Sequence, residues 1–229
     1  MILTAIPAGF TAGLFGLGGG LITVPIMYYI ITNSGIDTEF VMHWAVGTSF
    51  AIIIPTSLVS VFTHSQHKAI DLKIVRDFGL FVIVGVIIGT IFAANLKTKP
   101  LILFFTFVVY IFSFYLLFFK EKEKDINFKM GPLSKIISAF ISGFISAPMG
   151  IGGGVMNVPI LKFFGHPIQK AIGSAAAIGL IIVIFGAIGF LISGNYLNAD
   201  LPLSIGFINI PAFCIFFPIT AFMARVGAN

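Results

Sequence analysis

The sequence predicts an all-α, polytopic helical membrane protein with two related halves, and three observations predict it. Of 229 residues, 58% are hydrophobic and 9% charged, against roughly half and a quarter in a soluble domain, and the mean hydropathy is +1.10. Apolar stretches of the roughly 20 residues needed to cross a bilayer recur along the chain, two of them between Leu72 and Lys124. A glycine-rich motif occurs twice.

The formal net charge of +5 would suggest nucleic acid in a soluble protein. Here the 13 Lys and Arg residues lie almost entirely between apolar stretches, where they orient helices instead, so no nucleic-acid partner is expected. Cys214 stands among phenylalanines and isoleucine, without a disulfide or metal spacing, and reads as a small apolar side chain. Met1-Ile2-Leu3-Thr4 has no basic n-region or cleavage site, so the first apolar stretch is expected to stay in the mature protein. The expected location is a cell membrane of the bacterial inner-membrane type, crossed several times.

In chain order the apolar segments are Ile2 to Thr32, Val41 to Thr63, Val75 to Asn95, Leu101 to Phe119, Lys135 to Phe164, Ala171 to Ser193 and Leu203 to Ala224. The first and fifth are too long for one crossing, and each carries a copy of the motif. Gly9 to Ile26, with Gly18-Gly19-Gly20 and Val24-Pro25, recurs as Gly143 to Ile160, with Gly152-Gly153-Gly154 and Val158-Pro159, an offset of 134 residues (143 − 9). A second anchor follows in each half: Ala45-Val46-Gly47-Thr48-Ser49 and Ala171-Ile172-Gly173-Ser174-Ala175, offset by 126 (171 − 45). The halves are residues 1–119 and 135–229, joined by a charged cytoplasmic linker, 120–134, that begins Lys120-Glu121-Lys122-Glu123-Lys124-Asp125. The second half stops where the first half's last apolar segment begins, so its last helix is expected to be missing.

Three adjacent glycines and a proline five residues on should open a helix. The segment is then either a broken crossing or a re-entrant helix pair. If the glycine segments enter and return, Lys68, Lys73, Arg76, Lys120, Lys122, Lys124, Lys129, Lys135, Lys162, Lys170 and Arg225 share the cytoplasmic side, leaving Lys97 and Lys99 outside with Asp37, Glu39 and Asp200. That distribution obeys the positive-inside rule and favours re-entrance. Each complete half then has an odd number of crossings, which inverts one half relative to the other, as in secondary transporters.

A half-helix N-terminus presents unpaired N–H groups and the positive end of the helix dipole, which suit an anion. Pairing the motifs about a pseudo-twofold axis brings Gly18, Gly19 and Gly20 near Gly152, Gly153 and Gly154. Thr23, Thr48, Ser49, Asn157 and Ser174 are the candidate side-chain donors, and Pro25 and Pro159 complete the substrate-binding set. No carboxylate is among these candidate residues, which argues for an anion over a cation. Close helix packing is the competing role for the glycines, and for Gly85 and Gly89 it is the expected one. His43 is read as a capping or interfacial residue with a protonatable gate as the alternative, Trp44 as an interfacial anchor, and His64 and His67 as cytoplasmic surface without the further ligands a metal needs.

On these motifs, Gly9 to Ile26, Ala45 to Ser49 and Gly143 to Ile160, the chain resembles the TauE/SafE family of sulfite exporters. The resemblance covers nearly the whole chain and implies two related halves and ion-coupled export of a small sulfur-containing anion such as sulfite, sulfoacetate or a similar organosulfonate, with a proton gradient as one driving force to test. It implies no cofactor, and the oligomeric state does not follow from it. Nothing like a nucleotide-binding Gly-x-x-x-x-Gly-Lys-[Ser/Thr] motif points to a pump. The alternative is a non-transporting membrane scaffold or sensor. An intramembrane serine hydrolase at Ser49 is disfavoured because His43 and His64 are poorly spaced to serve as its base, so no enzyme activity is expected.

Overall fold

The computed structural model describes residues 2–16, 18–35, 39–118, 131–199 and 201–228. Asp37, Asp200 and most of the charged run, including Lys120, Lys122, Lys124 and Lys129, lie outside the described residues. Nine helices are described: α1 (Ile2–Phe15), α2 (Gly20–Asn33), α3 (Val41–Gln66), α4 (Leu72–Ala94), α5 (Thr98–Phe118), α6 (Pro132–Met149), α7 (Gly154–Phe163), α8 (Ile168–Tyr196) and α9 (Ile210–Ala228). Helices α3, α4, α6, α8 and α9 are long and apolar enough to cross a membrane, and the chain is an all-α polytopic membrane protein.

Both overlong segments are broken where the glycines fall. The break precedes the proline, because α2 and α7 begin at the last glycine of each triplet and carry Pro25 and Pro159 within them. Proline there only leaves one carbonyl of the preceding turn unpaired. The turns instead use left-handed backbone at Gly16, Gly18 and Gly19 (φ 65°, 73° and 77°) and at Gly150 and Gly153 (φ 65° and 70°), conformations that cost a residue with a Cβ about 1 kcal/mol or more.

Helix directions follow from close contacts at glycine. A Cβ built on Gly9 would strike the backbone of Thr220, and one on Gly13 that of Ala224, so α1 and α9 run parallel. Gly143 meets the Val82 carbonyl and Gly89 the Phe144 carbonyl, so α4 and α6 run parallel too. Thr48 and Thr56 of α3 pair with Asn209 and Thr220 in the same order, which sets α3 parallel to α9. Ser174 with Asp71, and Gly189 with Thr90, set α8 parallel to α4. Because the loop after α3 packs Ala69 on Gly173 at the start of α8, while His43 at the start of α3 lies 6.5 Å from Phe190 near the end of α8, these two helices are antiparallel. Thus α1, α3 and α9 run one way and α4, α6 and α8 the other. The chain must therefore turn back through α2 before entering α3.

One end of the bundle gathers the end of α3, the starts of α4, α6 and α8, and the ends of α7 and α9. Lys135 bonds Asp77 there, and Asp71, Lys73 and His166 line the same cavity of about 420 Å³. Burial pushes the His166 imidazole below its usual range, Asp71 opposing and Lys135 and Lys170 adding to the effect, which favours its neutral form. The opposite end holds the Glu39–Lys97 ion pair, 2.9 Å, worth little because both partners are exposed.

Three expectations are corrected. The seventh apolar segment does not become helical at Leu203: Leu203 and Gly206 take positive φ (57° and 54°), and Ser204–Ile205 (β1) pairs antiparallel with Ile208–Asn209 (β2) before α9 begins. Trp44 is no interfacial anchor. It is 1% exposed, and its indole N–H donates to the Gly206 carbonyl at 3.1 Å, because this hairpin folds over the start of α3. His43, likewise read as interfacial, is fully buried among Phe40, Phe190 and Phe207, with Nε2 3.0 Å from the Ala93 carbonyl.

Two glycines of α4 separate packing from propensity. A Cβ on Gly85 would fall on the Phe140 carbonyl, whereas one on Gly79 meets only the Ile181 Cδ1 at 3.6 Å. Gly85→Ala should cost about 1–3 kcal/mol through overpacking, and Gly79→Ala should gain about 0.5–1 kcal/mol in helix propensity. Thermal unfolding in detergent is expected to move in opposite directions for the two variants.

Candidate functional site

The two glycine breaks meet at the middle of the bundle. A Cβ on Gly18 would lie 3.1 Å from the Gly152 Cα and 2.9 Å from the Ile53 Cγ2, and one on Gly20 would collide with the Gly150 carbonyl and stand 2.8 Å from the Ile151 Cα. Gly19 is closed in by the Ala8 carbonyl and Gly153 by Ile182. The packing is reciprocal: Gly16 lies against Ile172 and Ala176 of the second half, and Gly150 against Val24 and Val46 of the first. Gly16 and Gly150 are counterparts at the 134-residue offset, and Val46 and Ile172 at the 126-residue offset. Each break therefore sits on the long helix of the other half.

The sequence-predicted residues divide into two groups. Gly18, Gly19, Gly20, Gly152, Gly153 and Gly154 come together, with Thr23 and Asn157 buried in the first turns that follow. Thr23 donates to the Gly19 carbonyl at 2.7 Å, so its hydroxyl caps its own turn. Asn157 accepts from Ser142 at 2.7 Å through Oδ1, while its Nδ2 has no partner. Ser49 reaches the junction from α3 and donates to the Gly150 carbonyl at 3.0 Å. Pro25 is exposed and Pro159 half-buried, the latter lining a lateral groove with Phe112 and Phe163.

Thr48 and Ser174 are not brought to the junction. Each hydroxyl accepts a backbone N–H instead, Thr48 from Asn209 at 2.9 Å and Ser174 from Asp71 at 3.0 Å. Asn209 and Asp71 in turn cap α9 and α4, accepting from the N–H groups of Ala212 and Lys73. The two bonds are repeat-related staples that tie each long helix to the start of the other half's helix, at opposite ends of the bundle.

The α2 and α7 N-termini at the junction offer anion-type chemistry, since helix geometry leaves the N–H groups of Gly20, Leu21, Gly154 and Val155 without intrahelical acceptors, whereas those of Ile22, Thr23, Met156 and Asn157 bond the Gly19 and Gly153 carbonyls. Among the described residues no group of three or more His, Cys, Asp or Glu side chains could hold a metal ion. The described carboxylates, Glu39, Asp71 and Asp77, belong to the two ends. Ser142 and Ser146, both fully buried on α6, were missed by the sequence reading. The available signal was their polarity where the first half has Ala8 and Ala12.

The two ends differ in closure. At the basic end a cavity of about 380 Å³, lined by Leu14, His64, Ala69, Gln169 and Ile172, opens below the first break. At the other end Phe207 fills the equivalent place: its carbonyl abuts Gly47 as that of Ala69 abuts Gly173, and its ring is fully buried.

The family model described as sulfite exporter TauE/SafE matches residues 1–229. A probable membrane transporter protein of Haemophilus influenzae is 34% identical over 230 residues, covering 100% of this chain and 86% of the relative. A probable membrane transporter protein of Methanocaldococcus jannaschii is 30% identical over 220 residues, covering 92% and 78% respectively. One of Bacillus subtilis is 25% identical over 215 residues, covering 85% and 78%. No solved structure matches the chain significantly.

The staples at Thr48 and Ser174 share no partner, so their losses should add. Thr48→Val and Ser174→Ala are each expected to cost about 1 kcal/mol, and the double variant about the sum, measured by unfolding in detergent. A double variant no less stable than either single one contradicts this assignment.

Proposed function

Since the chain belongs to the sulfite exporter TauE/SafE family, we propose that this membrane transporter is a secondary exporter of a small sulfur-containing anion, sulfite, sulfoacetate or a similar organosulfonate. The observation that carries the reading is the junction itself. Two glycine breaks from different halves touch there, each opening a helix whose N-terminus faces the bundle interior.

The halves are inverted repeats, each opening with a re-entrant helix pair. The opposed directions of α1 and α6, of α3 and α8, and of α9 and α4 support this, since these are repeat-related pairs. So does the gathering of Lys68, Lys73, Arg76, Lys135, Lys162, Lys170 and Arg225 at one end, which the positive-inside rule assigns to the cytoplasm. Residues 1–119 and 135–229 are then the two membrane repeats, joined by a cytoplasmic linker. With the cavity beside Ala69 open on that side and Phe207 filling the other, the arrangement is an inward-facing one, and exchange of the two closures gives alternating access. An unpaired anion at mid-membrane is held by amide and side-chain donors in place of its hydration shell. A proton gradient supplies the driving force.

Flux of sulfite, sulfoacetate and thiosulfate into proteoliposomes, with and without an imposed proton gradient, tests this reading. Saturable, gradient-stimulated flux of sulfite or sulfoacetate is expected. Absence of flux for all three would favour the scaffold or sensor role instead.

A further inference from the structure

The halves match in backbone but not in polarity at the breaks. At the 134-residue offset, Ala8, Ala12 and Thr23 of the first half stand where the second has Ser142, Ser146 and Asn157. The first break is satisfied within itself. Ala8 and Ala12 are buried and close on Gly19 through the Ala8 carbonyl and the Ala12 methyl group, and the Thr23 hydroxyl is taken up by the Gly19 carbonyl.

The second break is not. Ser142 donates to Asn157 Oδ1 at 2.7 Å, which fixes the amide and turns its NH₂ away from α6. That Nδ2 is fully buried and unpartnered, and a Cβ on Gly153 would lie 3.0 Å from it, so it is aimed at the first turn of α7. Ser146, one helical turn beyond Ser142 toward the break, has a second fully buried, unpartnered hydroxyl. An unpartnered polar group is costly in an apolar interior, and the penalty is steeper where lipid replaces water. Two orphaned donors on the helices that flank one glycine break, with a repeat-related break that has neither, point to a ligand that completes them.

We propose that the second break alone is the anion seat, a single site per chain in which Asn157 Nδ2, Ser146 Oγ and the Gly154 and Val155 N–H groups at the start of α7 receive a small oxyanion, while the first break is a sealed pivot. This rests on the anion-transport reading and deepens it. The donor set selects the ligand: neutral N–H and O–H groups around the positive end of a helix dipole bind a compact anion with two or more acceptor oxygens. Ser142 is a positioning residue, since it touches Asn157 Oδ1 and leaves Nδ2 as the donor.

Radiolabelled sulfite binding to the full chain in detergent, together with uptake into proteoliposomes, tests the seat. Asn157→Leu should weaken binding about tenfold or more and Ser146→Ala by several-fold, as expected for lost donors to a charged ligand. Asn157→Asp, nearly the same size, should abolish binding by repulsion. The melting temperature of Asn157→Leu should hold or rise, because the orphaned Nδ2 is removed and the released Ser142 hydroxyl can turn back to a carbonyl of its own helix, as the Thr90 hydroxyl does; a purely structural Asn157 would lower it and leave affinity unchanged. Ser60→Ala removes a buried, unpartnered hydroxyl elsewhere on α3 and should bind and transport as the unsubstituted chain does. Full sulfite affinity in Asn157→Leu, with the unsubstituted chain transporting, overturns the seat and leaves the transport reading standing. An unsubstituted chain that neither binds nor moves sulfite overturns both.

Discussion

At the centre of the bundle two chain breaks touch with no side chains between them, and the surrounding helices are arranged around that contact. Gly18 and Gly152 approach so closely that a single methyl group on Gly18 would overlap its neighbours. Glycine is required twice over, once for the left-handed turns and once for the approach. With the breaks in register, each half's first helix is drawn against the other half's outer helix: α1 lies on α9 and α6 on α4, along seams where glycine lets backbone meet carbonyl. In lipid such close seams replace the hydrophobic effect as the source of association.

Polar groups then tie these surfaces together. Ser49 to the Gly150 carbonyl, Thr48 to the Asn209 amide and Ser174 to the Asp71 amide all cross between the halves. Most other hydroxyls within the apolar helices bond back to the preceding turn, as Thr90 does to Val86. Against that background of satisfied groups, the orphaned donors of Asn157 and Ser146 stand out. A transporter must leave some part of its centre unsatisfied, since a site complete without substrate has nothing to offer it.

The duplication was legible because glycine and proline fix backbone shape directly, and both breaks fall where the triplets stand. Gly85 and Gly89 were rightly assigned to packing, since both seat against α6. What a linear reading could not provide was partnership across long separations. Thr48 and Ser174 were recognisable as counterparts, but their partners lie 161 and 103 residues away, so hydroxyls that looked like donors to a ligand proved to be acceptors from helix starts. Trp44 and His43 were misplaced for a related reason. The hairpin that covers them is made by Leu203 to Asn209, whose apolar composition reads as helix until the positive φ at Leu203 and Gly206 is seen. Ser142 and Ser146 escaped notice because they precede the glycines, where only a position-by-position comparison with Ala8 and Ala12 exposes the change.

The account turns on whether the glycine segments return to the side they enter from. Single cysteines placed at Gln66, Lys99 and Lys170, as Gln66→Cys, Lys99→Cys and Lys170→Cys in a Cys214→Ala background, can be labelled in intact cells with a membrane-impermeant maleimide. Lys99→Cys should react from outside, and Gln66→Cys and Lys170→Cys only after the membrane is opened. If Lys170→Cys instead reacts from outside together with Lys99→Cys, the second glycine segment crosses the membrane, and the inverted, re-entrant arrangement is wrong.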